Sequence, residues 1–407
     1  MKRLAHILFL IPFHLFLIPC ANAQGTWTQK ASLLSTGRAG SISFAIGNMG
    51  YYGLGYDGTT YHNDLWQFNA SVNSWIQKSN FPGLARVLPA TFVIGHKAYI
   101  VTGQDTNYGF HNECWEYDAN NDKWTKKSDF PGAARAYDIG FAIGGKGFVG
   151  IGSHYDIDYY KDFWEYDTAT DSWKKKADFG GLPRAAACAF AIGKNGYLCF
   201  GSDTVNGINN DMWVYDTALD TWTQKTSCPG NPVFGANGFV LGSDIYVGTG
   251  NNGLDTCYRT FWMYNTLLDT WSKEIDFQGP AMYYSIAFSI VDSGYMGAGS
   301  NTSPVYFTDF YRFNSDSLAG LNEVINDNEI TISPNPFVNT CIVTLPGAND
   351  IPAFKLFDLQ GRGINISVTH SGNEYIIKRG NICNGTYILN VTINNKTINK
   401  KLEIISN

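Results

Sequence analysis

Two sets of aromatic residues run through this sequence on one fixed period. The first is Trp27, Trp75, Trp124, Trp173, Trp222 and Trp271, spaced by 48 and then four times by 49 residues. The second is Trp66, Trp115, Trp164, Trp213, Trp262 and Tyr311, every step 49. The surrounding text repeats with them, from Asp64-Leu-Trp-Gln-Phe-Asn69 through Asp162-Phe-Trp-Glu-Tyr-Asp167 to Asp309-Phe-Tyr-Arg-Phe-Asn314. Upstream of each stands an apolar stretch closing on Gly-x-Gly, as in Gly53-Leu-Gly55 and Gly150-Ile-Gly152, degraded to Val101-Thr-Gly103 and Cys199-Phe-Gly201. Six copies of a unit this long describe a chain whose pieces cannot bury their apolar faces alone and must stack on one another.

Each unit reads as four short strands. In the third, strand a is Ala136 to Ile143, Gly144-Gly145-Lys146-Gly147 turns the chain, strand b is Phe148 to Gly152, strand c lies around Phe163 to Tyr166, and strand d holds Trp173. Such sheets stack radially, with large aromatics filling the wedge between neighbours. The chain begins with a d-strand (Trp27) and ends the repeat with a c-strand (Tyr311), so the N-terminal strand is expected to complete the last unit and remove the open edge. The expected fold is all-β: a six-bladed β-propeller over residues 24–316. The composition agrees, with 43 Gly, 11 Trp, 24 Tyr and 26 Phe against 16% charged residues. The net charge of −6 divides into +2 for residues 1–23, −11 for residues 24–329 and +3 for residues 330–407, so the large part lacks the basic footprint that nucleic acid demands.

The repeat resembles the kelch family over residues 25 to 316: apolar strand, glycines, an acid two before a Trp/Tyr-x-Tyr-Asp segment, a second Trp nine later, and an Arg before the next blade. Kelch units usually carry adjacent glycines, and the Gly-x-Gly here departs from that.

The two ends have separate readings. Lys2 and Arg3, the apolar run Ile7 to Pro19 and Ala21-Asn22-Ala23 make residues 1–23 a signal peptide cleaved after Ala23. The rival, acylation of Cys20, has Pro19 against it. No later stretch reaches transmembrane length. Residues 317–329 read as a linker, and 330–407 as a small β-sandwich with strands at Ile330 to Ser333, Thr340 to Leu345, Ala353 to Asp358, Glu374 to Lys378, Thr386 to Ile393 and Lys401 to Ile405. Its text resembles the type A C-terminal sorting domain of bacterial type IX secretion, in Ser333-Pro-Asn-Pro-Phe337, Phe354-Lys-Leu-Phe-Asp-Leu-Gln-Gly-Arg362, Asn384-Gly-Thr-Tyr-Ile-Leu389 and Lys400-Lys401-Leu402. That resemblance implies passage to the outside or the outer surface of a bacterium, with the type IX machinery as partner of residues 330–407. Export makes disulfides permissible, and seven cysteines remain after Cys20; Cys341 with Cys383 is the pairing to test.

For function, the b-to-c loops and the d-to-a crossings share one face of the disc. Eleven residues after each d-strand Trp stand Arg38, Arg86, Arg135 and Arg184, then Val233 and Met282. A partial Arg ring near the channel suits carboxylates or phosphates, and kelch propellers that bind acidic peptides use this position. The alternative is structural duty, pairing with carbonyls or acids such as Asp138. The loops add Tyr56 and Asp57, Gln104 and Asp105, Ser153 and His154, Ser202 and Asp203, Asn251 and Asn252, with Tyr108, Tyr155 and Tyr159 nearby. These suit a sugar or a protein surface. The blade tryptophans read as core, and the recurring acids Asp64, Glu113, Asp162, Asp211 and Asp309 as scaffold, since a catalytic residue should break the repeat. His154 stands alone, and His62 with His111 occupy equivalent places, so no metal or cofactor is expected. The expectation is a secreted or surface-displayed recognition module for an extracellular protein or glycan, without catalysis. The alternatives are a sugar mutarotase, as in the bacterial kelch enzymes acting on sialic acid that the six-blade count resembles, and a purely structural display protein.

Overall fold

A computed structural model describes residues 25–155, 158–315, 331–344, 352–358, 363–380, 382–393 and 396–405. The leader 1–23 and the linker 317–329 lie outside the described residues. Among the described residues there is no helix, and so none long and apolar enough to cross a membrane. The chain divides into two compact units after Ser317.

The first unit holds six antiparallel sheets of four strands, repeating one order. In blade 3 these are Ile139–Ile143, Lys146–Gly150, Phe163–Asp167 and Ser172–Lys176, strands a to d from the channel outwards. The a-strands of the other blades are Ile42–Ile46, Ala90–Ile94, Cys188–Ile192, Asn237–Leu241 and Ile286–Ile290. In blade 6 the outermost strand is Thr26–Gln29, which pairs with Phe310–Asn314 through Trp27 opposite Phe313 and Gln29 opposite Tyr311. The ring therefore closes across the whole length of the propeller chain, and Trp27 sits among Phe261, Phe277 and Phe313 at ring distances of 4.9–5.1 Å.

Aromatic side chains hold the wedge. The a-strand phenylalanines stack on the b-strand aromatic opposite, as in Phe92 on Tyr99 at 4.9 Å and 11°. The outer face of that ring then needs a flat neighbour. Gly147 of the next blade provides it, since a Cβ there would stand 2.2 Å from the Phe92 ring. At the outer seam four of the six d-strand tryptophans, Trp75, Trp124, Trp173 and Trp271, donate from Nε1 to a backbone carbonyl, as Trp124 does to Ser79 (2.8 Å) and Trp173 to Ser128 (2.9 Å) on the preceding blade. The blade tryptophans are thus architectural.

The C-terminal unit has two four-stranded sheets, Thr331–Ser333, Thr340–Thr344, Glu374–Lys378 and Ser367–Ser371 in one, and Gly363–Ile364, Ala353–Asp358, Gly385–Ile393 and Lys396–Ile404 in the other. One core joins residues of both, Val343 and Ile377 with Leu356, Leu389 and Leu402. The strands Gly363–Ile364 and Ser367–Ser371 are additions to the sequence reading; they are short and polar, with little alternation to reveal them. Cys341 is buried in that core and Cys383 is exposed, and both are free thiols, so the pairing raised from sequence is not formed.

Candidate functional site

The crossing segments and the b-to-c loops of each blade are hydrogen-bonded to one another, and this decides where their side chains go. Arg86–Val87 pairs with Gln104–Asp105, Arg184–Ala185 with Ser202–Asp203, and Ala136 bridges to Ser153. Each arginine is thereby turned beneath its own loop.

All four arginines expected at the channel mouth are in the interior, at most 2% exposed. Arg135 is representative. Its Nη1 and Nη2 clamp the Asp162 carboxylate at 2.5 and 2.9 Å, Nη1 also donates to the Ile151 carbonyl and Nε to that of Ala133, and the guanidinium lies over Phe130 and Tyr160. Arg38 clamps Asp64 and Arg184 clamps Asp211 through two bonds in the same way, and Arg86 holds Glu113 through one, from Nη2 (2.7 Å). Burial would raise the Asp162 and Glu113 carboxyls, but the bonds and charge of Arg135 and Arg86 hold both below their ordinary values. The reading of these arginines as ligand contacts is corrected here: the fork that would grip a ligand carboxylate already grips an internal one. Where Arg gives way to Val233 in blade 5, the acid gives way to Thr260 and the stacking Phe to Cys228, so the node is lost as a set.

The loop residues are also largely engaged. Asp57 accepts from the amides of Thr59 and Thr60 (2.9 and 2.7 Å) and from His62 Nε2 (2.8 Å). Asp105 does the same with Asn107, Gly109 and His111, and Asp203 with Val205, Asn206 and Asn209. Burial works to raise these three carboxyls, and the bonds outweigh it and lower them. Asn251 and Asn252 cap their loop in the same manner, through Gly253 and through Leu254 and Thr256. These five side chains shape loops and have little left for a ligand. Tyr56 packs on Tyr61 at 4.8 Å and donates to the Gly58 carbonyl. Ser153 is buried, His154 packs at a tilt against Phe110 at 4.5 Å and edge-on against Tyr155 at 4.6 Å, and Gln104 is half-buried. Ser202 opens onto a groove described below.

Three features of this face go beyond the sequence reading, which had named Asp138, Tyr108, Tyr155, Ser202 and Asn252 only singly. The first is a chamber of about 230 Å³ at the channel mouth, lined among others by Ser43, Thr91, Asp138, Cys188, Asn237 and Ser285. It is ringed by six backbone hydrogen bonds running head to tail: Gly40 to Tyr284, Leu88 to Gly40, Tyr137 to Leu88, Ala186 to Tyr137, Gly235 to Ala186 and Tyr284 to Gly235, at 2.7–3.2 Å. All six residues have φ between 50° and 65°. Tyr137 and Tyr284 face each other from opposite blades, ring centres 5.9 Å apart. Asp138 is the one acid lining the chamber, at a position occupied elsewhere by Ser41, Pro89, Ala187, Ala236 and Ser285. Burial pushes its carboxyl up to about 8 against the pull of Arg135 and of the Thr102 hydroxyl, 2.8 Å away, so at neutral pH it mostly carries its proton and can donate. The second feature is a rim of apolar loop tips on five consecutive blades: Tyr108 (66% exposed), Tyr155, Val205 (73%), Leu254 (83%) and Val305. The third is a groove of about 520 Å³ between the loops of blades 4 and 5. Asp138 and the blade 5 substitutions were both visible as breaks in the repeat, which was the signal available for them.

Known proteins give the context. Residues 90–296 match the family model of the KLHDC2/KLHL20/DRC7 Kelch-repeats domain. Residues 331–405 match that of the secretion system C-terminal sorting domain, which implies handling by the type IX machinery and a place outside the cell or on its surface. The solved structure of YjhT superposes with a TM-score of 0.59 at 15% identity, covering 70% of this chain and 97% of that one, a likeness of fold. No curated protein matches in sequence.

Proposed function

The chain belongs to the Kelch-repeat family and carries a secretion sorting domain, and from that premise we propose that it is an extracellular recognition module whose loop face binds a protein or glycan. The observation that carries this reading is the apolar rim. Large apolar side chains stand out of polar loops on five neighbouring blades of the face that carries the chamber and the groove, while the comparably exposed Val72, Leu219, Leu267 and Leu268 lie in the c-to-d turns. The four crossing arginines and the loop acids Asp57, Asp105 and Asp203 are engaged within the fold, so this reading gives recognition mainly to uncharged groups. A mutarotase using guanidinium groups at the channel mouth loses support from the same geometry, because those groups are in ion pairs.

Export in this reading begins with cleavage after Ala23 and ends with removal or anchoring at residues 330–407. The mature N-terminus should read Gln24, and a chain ending at residue 329 should accumulate in the periplasm; normal release of that truncated chain would sink the export route. Binding is tested by probing the immobilised mature chain with extracellular glycans and proteins. A bound partner should be lost from a Tyr108→Ser, Leu254→Ser variant that keeps the parent's folding transition. Undiminished binding by that variant would count against the rim.

A further inference from the structure

The groove between blades 4 and 5 lies where the repeat breaks most completely. Every blade node with an arginine fills the space under its loop with guanidinium, carboxylate and a phenyl ring; blade 5 has Val233, Thr260 and Cys228 instead. Beside that smaller node, the walls of the groove are Ser202, Ile208, Asn231, Phe234, Asn252 and Tyr258, together with glycines 207 and 253 and Pro232. Its volume of about 520 Å³ falls inside the usual range for small-ligand sites, roughly 300–1,000 Å³.

The lining chemistry is narrow. No acid or base is part of it, and the nearby Asp203 is closed off by its own loop amides. Phe234 is an aromatic where the crossings of blades 1 to 4 have Ala39, Val87, Ala136 and Ala185, a feature it shares with Tyr283 of blade 6. Phe234 and Tyr258 are half-buried, so ring surface remains uncovered, and the side chains of Ser202, Asn231 and Tyr258 have no hydrogen-bond partner among the described residues. An amide and two hydroxyls that both donate and accept, set beside aromatic faces, match a ligand made of hydroxyls with apolar C–H faces. A carboxylate or phosphate would find no cation there. An extended peptide would need unpaired backbone, and the loop amides of Asn252 and Tyr258 are already bonded to Thr256 and Gly250. We infer that this groove is a binding site for a short neutral oligosaccharide, with Tyr258 and Phe234 as the stacking surfaces and Ser202 and Asn231 as the hydroxyl-reading groups. The inference rests on the recognition reading above and gives it a ligand class and a place.

The test is calorimetric titration of the full mature chain with cellotetraose, laminaritetraose, maltotetraose and mannotetraose, with 3′-sialyllactose and an acidic decapeptide as the charged and peptidic alternatives. At least one neutral tetrasaccharide should bind, and Tyr258→Ala should weaken it by about tenfold or more. Asn231→Ala, at an exposed position that cannot disturb the core, should weaken it several-fold, while Tyr56→Ala in blade 1 should leave it unchanged. Neutral sugar binding that ignores both groove variants would overturn the site and leave the recognition reading standing. Binding of only sialyllactose or only the peptide would overturn the ligand class. No binding by any probe overturns this inference, and the wider reading falls only if the broader protein and glycan panel is silent too.

Discussion

Blade 5 contains a natural version of the experiment that best tests the buried arginine nodes. Arg135→Val alone copies Val233 but leaves the Asp162 carboxylate facing an apolar side chain, with only the Trp164 Nε1 donor remaining (2.8 Å). Breaking a buried pair from one side costs about 3–5 kcal/mol. Asp162 keeps 21% side-chain exposure, which favours the low end, and loss of the ring contacts and of the donors to Ile151 and Ala133 restores part of the difference. A cost of about 3–4 kcal/mol is expected. Adding Asp162→Thr copies Thr260 and removes the stranded charge, so the double variant should lose only about 1–2 kcal/mol. All 11 tryptophans lie between residues 27 and 271, so tryptophan emission during urea unfolding of the full chain reports the propeller without the C-terminal unit. Asp162→Thr alone strands the Arg135 guanidinium, which is 1% exposed, and should also cost about 3–4 kcal/mol, so the four-member cycle should give a coupling of about 5 kcal/mol. If Arg135→Val costs under about 1 kcal/mol, or the double variant costs the sum of the singles, the arginine is not the internal clamp described here. Because Asp162 is held below its ordinary value, the node's contribution should be present above about pH 4 and fade as the pH falls through the lowered native value.

Asp138 predicts the opposite pH trend. Its carboxyl is raised to about 8, so between about pH 4 and that value the native state holds a proton the unfolded chain has released, and stability falls as pH rises through the window, by at most about 1.4 kcal/mol per unit. Asp138→Asn should flatten that slope in urea titrations across pH 4–9; an unchanged slope would show that Asp138 is ionised throughout. Gly152 has φ +92° and a Cβ there would stand 2.7 Å from the Ala136 carbonyl, whereas Gly144 has φ +58° with nothing within 4 Å. Gly152→Ala should therefore cost more than about 2 kcal/mol and Gly144→Ala about 1, read from the same unfolding curves, and equal costs would refute the close-approach argument. Removing residues 24–30 strips Trp27 from its aromatic cluster and bares the edge of Phe310–Asn314, so the shortened chain should elute as oligomers in size-exclusion chromatography; a stable monomer would mean that blade 6 closes without that strand.

The periodic part of the fold was legible because repetition multiplies weak signals: one Trp nine residues from another means little, and six such pairs on one period mean six blades. Side-chain direction was not legible in the same way. The spacing of Arg38, Arg86, Arg135 and Arg184 from the tryptophans locates them near the channel. Only the pairing of crossing with loop turns them inward onto Asp64, Glu113, Asp162 and Asp211. The joint replacement of the arginine and the acid by Val233 and Thr260 in blade 5 was the sequence trace of that contact. Asp138 broke the repeat in plain view, but its meaning depends on a chamber that no local pattern describes. In the C-terminal unit the short strand Gly363–Ile364 and the polar Ser367–Ser371 gave no apolar alternation to read.

The pairing of Thr26–Gln29 with Phe310–Asn314 also sets an order of events for a polypeptide that is synthesised from its N-terminus. The strand that emerges first has no partner until nearly all of the propeller has followed it, and must wait as an unsatisfied ribbon while five blades form behind it. Completion of the ring is thus a receipt for complete delivery: a chain interrupted anywhere before Asn314 cannot close. The sorting domain at residues 331–405 follows Asn314 in the chain, so the strand that allows closure is made before it.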